Sequence, residues 1–118
     1  MVITFDPVKI QKNAVEPMFL EWEELSKLIH EAHQQRNRQA KVFMEKGIEL
    51  YERLIVTTSN QESEGINVNE DYEVLPLNGM ERLSFIKARP GQFACYRQLD
   101  ELFKETKKRL ARLRVKMK

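Results

Sequence analysis

The feature that most narrows the fold is one long apolar seam near the C-terminal end. Gln92, Tyr96, Leu99, Phe103, Thr106, Leu110, Leu113 and Met117 recur at alternating intervals of four and three, with Cys95 and Leu102 beside them. That interval keeps side chains on one side of an α-helix and is incompatible with the two-residue period of a strand. A helix of this length has to bury its seam against other helices, so an all-α architecture follows.

Two further helical faces precede it. From Pro17 onward, Met18, Trp22, Leu25, Ile29 and Ala32 fall on one side, while Glu21, Glu23, Glu24 and Lys27 take the other. From Arg36 onward, Ala40, Phe43, Met44, Ile48, Tyr51, Leu54 and Ile55 make a wide stripe opposite Glu45, Lys46, Glu49, Glu52 and Arg53. The segment HQQRNRQ between them loses its apolar residues, and a break near 33 to 36 is expected because an unbroken helix would outgrow a domain of this size. Gly47 inside the second stripe is unfavourable in a helix unless a neighbouring helix packs closely on it. Asp6-Pro7 reads as the cap and first residue of a short initial helix reaching about Asn13.

Residues 57 to 75 break the pattern and predict a long, exposed, mobile polar loop that tightens into an extended piece at Tyr72 to Leu75. No strand pair is apparent. Asn78 and Glu81 have capping-box spacing ahead of a two-turn helix carrying Met80, Leu83 and Ile86. Pro90-Gly91 then turns the chain into the last helix, with Phe85 and Phe93 available to pin the corner. The expectation is one domain over 1–118, an antiparallel bundle of about four helices with the polar loop on one side.

The stretch PLNGMERLSFIKARPGQFACYRQLDELFKETKKRLA, residues 76 to 111, resembles the C-terminal half of the YpoC-like family of uncharacterised Bacillus-type bacterial proteins. Its ERLSFI, its proline and the QL-x-ELF-x-E succession carry the likeness, with looser agreement at RN (36 to 37) and M-x-x-GI-x-L (44 to 50). The resemblance implies a helical bacterial protein and supplies no catalytic residues.

Charge is unevenly placed. Of the 118 residues, the last 15 carry eight basic side chains against Glu105 alone, so a total of +2 leaves −5 on the other 103. Lys104, Lys107, Lys108, Arg109, Arg112, Arg114, Lys116 and Lys118 are the candidate contacts for nucleic-acid phosphates, an anionic surface or an acidic protein partner. No aromatic residue follows Phe103 to stack on bases, and no groove-reading motif is present, so sequence-specific recognition is not indicated. Arg82 and Arg89, two helical turns apart, could hold an anion together, or each could pair with a nearby carboxylate.

Chemistry is harder to place. His30 and His33 in IHEAH lack the spacing of zinc-protease or di-iron motifs and read as residues near a helix end. Cys95 borders the seam as a small hydrophobe, and as the lone cysteine it cannot form an internal disulfide. The N-terminal residues show no leader pattern, and no apolar run reaches the roughly 20 residues of a membrane span, so a cytoplasmic location is expected. The resulting reading is a non-enzymatic helical interaction or adaptor protein, with no metal or cofactor, engaging a protein partner or a second copy. The alternative is weak, sequence-independent binding of nucleic acid or an anionic surface through the basic terminal helix.

Overall fold

Four helices form, as the periodicity requires. The computed structural model describes residues 2–117, in the order β1 (Val2–Ile3), α1 (Lys12–Gln34), α2 (Gln39–Thr57), β2 (Asp71–Tyr72), α3 (Gly79–Ala88) and α4 (Phe93–Lys116). α1 and α2 pack as one antiparallel hairpin, α3 and α4 as a second, and α4 also lies against α1 and α2. Its seam forms the centre of the core: Cys95, Leu99, Leu102, Phe103, Thr106, Leu110 and Leu113 are all buried.

Aromatic contacts lock α1, α2 and α4 together. Trp22 stacks on Phe103 with ring centroids 4.4 Å apart, and Tyr51 meets the same ring edge-on at 5.0 Å. The Trp22 indole N–H donates to Asp100 Oδ1 at 3.0 Å, and the buried Tyr51 and Thr106 hydroxyls bond at 2.7 Å. Gly47 is where α2 comes closest: a Cβ there would lie 2.7 Å from Trp22 Cζ3 and 3.2 Å from Leu99 Cδ2. Close packing is therefore what the glycine permits.

Several expectations need correction. Asp6-Pro7 does not open a separate helix. The Asp6 carboxylate accepts the Val8 N–H at 2.9 Å, making a local turn, and helix proper starts at Lys12. α1 then runs straight through Pro17, which lies inside it rather than at its start. Proline removes one ladder hydrogen bond there, a cost offset by burial of Val15, Phe19 and Trp22 on both sides of it. Phe19 replaces Met18 and Leu25 as a core residue, those two being half-buried.

A small parallel sheet also forms, against the expectation of none: Val2 pairs with Asp71 and Ile3 with Tyr72. The following residues join the start of the loop, with Asp6 N–H donating to Thr58 O at 2.9 Å and Asn60 N–H to Thr4 O at 2.8 Å. The loop is less open than its composition predicts, because Tyr72, Val74 and Leu75 are buried and the Tyr72 hydroxyl accepts the Asn67 N–H and donates to Gln61 Oε1.

The capping box at Asn78 is absent. Asn78 adopts a left-handed conformation (φ 56°) and its side chain makes no cap bond, so Glu81 serves α3 only as a first-turn carboxylate. Phe85 points to solvent instead of pinning the Pro90-Gly91 corner.

Candidate anion-binding surfaces

The basic face of α4 divides into two parts. One part turns inward: Lys107 lies over the Phe19 ring, 5.6 Å from its centroid, Arg109 Nε donates to Glu73 O, and Arg114 Nη1 donates to Ile10 O at 2.7 Å. These three tie α4 to α1, to the residue after β2 and to the turn before α1, with their charge satisfied by backbone oxygens or a ring face. The other part faces solvent. Lys104 pairs with Asp100 at 2.9 Å, one turn earlier, and that bond raises its pKa. Lys108, Arg112 and Lys116 are exposed and form no ion pair among the described residues. Lys118 lies outside the described residues.

Ala111 and Val115 interrupt this solvent crest with apolar surface, Val115 being 69% exposed. The seam behind it is consumed by the core as far as Leu113, so it does not extend past the bundle as a free coiled-coil strip.

Arg82 and Arg89 do not share an anion. Arg82 grips Glu105 with two parallel bonds, Nη1 to Oε1 at 3.1 Å and Nη2 to Oε2 at 2.6 Å. The hydrogen bond to Glu105 raises the arginine's pKa, and the same bond holds the Glu105 carboxyl below its ordinary value. Arg89 ends α3 in a non-helical conformation (φ −141°, ψ 59°) and makes no ion pair among the described residues. The corner reading of this stretch is what the chain adopts.

His30 and His33 meet the start of α4 in a ring cluster: His33 is edge-on to Phe93 at 5.2 Å, and His30 lies 6.4 Å from Tyr96. Burial, then the charge of His30, lowers the His33 pKa, and its Nε2 is shielded without a hydrogen-bond partner. Among the described residues no group of three or more His, Cys, Asp or Glu side chains is placed to hold a metal. Cys95 is fully buried, and burial pushes its thiol pKa up.

A second cationic surface was not anticipated from sequence. Arg36 and Arg38 from the turn between α1 and α2, and Lys41 from the first turn of α2, line an open depression of about 390 Å³ together with His33 and Gly91. Three basic residues within six positions were visible in RNRQAK, but only the turn brings them opposite the Pro90-Gly91 corner.

No helix is long and apolar enough to cross a membrane among the described residues. No solved structure matches this chain. A 39-residue segment is 46% identical to the protein of Bacillus subtilis (strain 168) described as "Uncharacterized protein YpoC"; it covers 33% of this chain and 24% of that protein. The family described as YpoC-like protein matches residues 12–118, nearly the whole bundle from the first helix onward. The chain therefore belongs to the YpoC-like family.

Proposed function

We propose that this is a non-enzymatic interaction protein whose solvent face of α4 docks an acidic amphipathic helix of a protein partner. The carrying observation is the crest itself: Lys108, Arg112 and Lys116 stand around exposed Ala111 and Val115 without a direct ion pair among the described residues, Lys108 acting on Glu105 only through its charge. A partner helix with carboxylates flanking small apolar residues would match both components, gaining steering from charge and affinity from burial of the apolar strip. A nucleic acid would use only the charge.

The test is an anisotropy titration of a labelled Glu- and Leu-containing helical peptide against wild-type protein and the triple variant K108E/R112E/K116E. A duplex oligonucleotide is titrated in parallel, each at about 50 and about 200 mM salt. The peptide should bind wild type and lose binding to the variant, whose circular dichroism stays helical. Duplex binding should be weaker and collapse at the higher salt. Equal peptide binding by both proteins would overturn the reading, as would tight duplex binding that survives 200 mM salt, at about the level where phosphate-only contacts fail.

A further inference from the structure

We infer that the depression between the α1–α2 turn and the Pro90-Gly91 corner binds a dianionic phosphate group, free or as the monoester of a small molecule, through Arg36, Arg38 and Lys41. This surface is separate from the α4 crest, and the inference stands independently of the function proposed above.

The first argument is charge. Three cations line one cavity with no carboxylate among its walls. None of the three makes an ion pair or side-chain hydrogen bond among the described residues, a state they share with Arg89 and Arg112, but here three such cations line one cavity. A bound dianion would supply the counter-charge that these walls lack.

The second argument is the backbone beneath the cluster. α1 ends in a Schellman motif, with the Asn37 N–H donating to Ala32 O at 2.8 Å and the Arg36 N–H to His33 O at 3.1 Å. Arg36 occupies the left-handed position of that motif, with φ 53°. Glycine takes this conformation at least cost, and here an arginine takes it instead, with its side chain lining the depression.

The third argument concerns which groups remain free to bind. The first amides of α2 are already used: Gln39 N–H donates to Asn37 Oδ1 at 2.9 Å, Ala40 N–H to Asn37 O at 3.2 Å and Lys41 N–H to Arg38 O at 3.3 Å. Recognition therefore falls to side chains, namely two planar guanidinium forks and one ammonium. That set suits a tetrahedral, doubly charged oxyanion better than a single carboxylate. The depression, of about 390 Å³, has room for a phosphate group and a small organic moiety. A nucleic acid strand would need a continuing cationic track, and the lining of this depression holds only these three cations and His33.

The experiment is an amide-shift NMR titration of the whole chain with inorganic phosphate, with glycerol 3-phosphate and with glycerol, at ionic strength held constant with chloride. Both phosphates should give saturable shifts centred on residues 36–41 and Gly91, and glycerol none. Tighter binding of the ester assigns a small organic phosphate as the source, and equal binding assigns free phosphate. Arg38→Ala with Lys41→Ala should weaken binding about tenfold or more, the loss of two charge-assisted contacts, while K108A/R112A leaves it unchanged. Arg36→Gly should raise the thermal midpoint and weaken phosphate binding together, a pairing that a purely structural Arg36 would not produce. Shifts that fail to saturate by about 10 mM, or that persist in the Arg38/Lys41 variant, would overturn the inference.

Discussion

Replacing Gly47 with alanine sets two effects of opposite sign against each other. In an open helix the change would stabilise by about 1 kcal/mol, the propensity difference between the two residues. Here the new methyl would sit 2.7 Å from Trp22 Cζ3, a separation that packed carbon atoms do not tolerate, and 3.2 Å from Leu99 Cδ2. Trp22 has little freedom to yield. Its ring is stacked on Phe103, its N–H is tied to Asp100, and it is 4% exposed. Overpacking of this kind costs about 1–3 kcal/mol, so once the propensity gain is subtracted the net outcome is destabilisation of up to about 2 kcal/mol. For a chain of this length that lowers the thermal midpoint by up to roughly 10 °C. Thermal unfolding followed by circular dichroism, paired with urea titration to confirm an unchanged m-value, measures it directly. A rise in both midpoints would refute the argument, because it would mean that α2 can move off Trp22 at negligible cost.

The other perturbations concern polar groups. Thr106→Val leaves the buried Tyr51 hydroxyl without its 2.7 Å partner and should cost about 1–3 kcal/mol in urea unfolding. Tyr51→Phe should cost less, because a helical threonine hydroxyl can turn to a carbonyl of the preceding turn. Glu105 has a folded-state pKa below its ordinary 4.5, so its stabilising contribution is present above that value and is lost as pH falls through the lowered one. Wild type should therefore lose more stability than Glu105→Gln between about pH 5 and about pH 3, by only a few tenths to about 1 kcal/mol because the pair is partly solvated. Equal acid sensitivity in the two proteins would remove the pair from the pH response.

What could be read in advance follows the range of the forces involved. The α4 seam, the apolar stripe of α2 and the Pro90-Gly91 corner are encoded within a few residues, through helical spacing and fixed proline geometry, and each is found in place. Gly47 was legible because a glycine inside an apolar stripe has few explanations other than a close neighbour. The sheet had no local signal: Val2–Ile3 and Asp71–Tyr72 are too short to show a two-residue period, and their pairing joins segments 69 residues apart in register. Pro17 misled because its intrinsic preference for a helix start was overridden by burial on both sides of it. Arg36, Arg38 and Lys41 were overlooked as a group because a left-handed turn at arginine carries none of the glycine or asparagine marks that normally announce one. For Arg82, the decisive partner Glu105 sits on another helix, beyond any spacing rule.

The attachment of the N-terminal strand also governs the order in which the molecule can assemble. α1 and α2 are joined by a short turn, and α3 and α4 by another, so both hairpins close small loops and can form early. Residues 2–6, by contrast, are held on one side by Thr58 to Asn60 and on the other by Asp71 to Glu73, and Arg114 reaches back to Ile10 across 104 residues. During synthesis, this segment emerges before α4 and must wait for it before its last contact exists. Closing those distant contacts costs the most chain entropy, so slow folding is expected to trace to them even though nearly all of the helical structure is local.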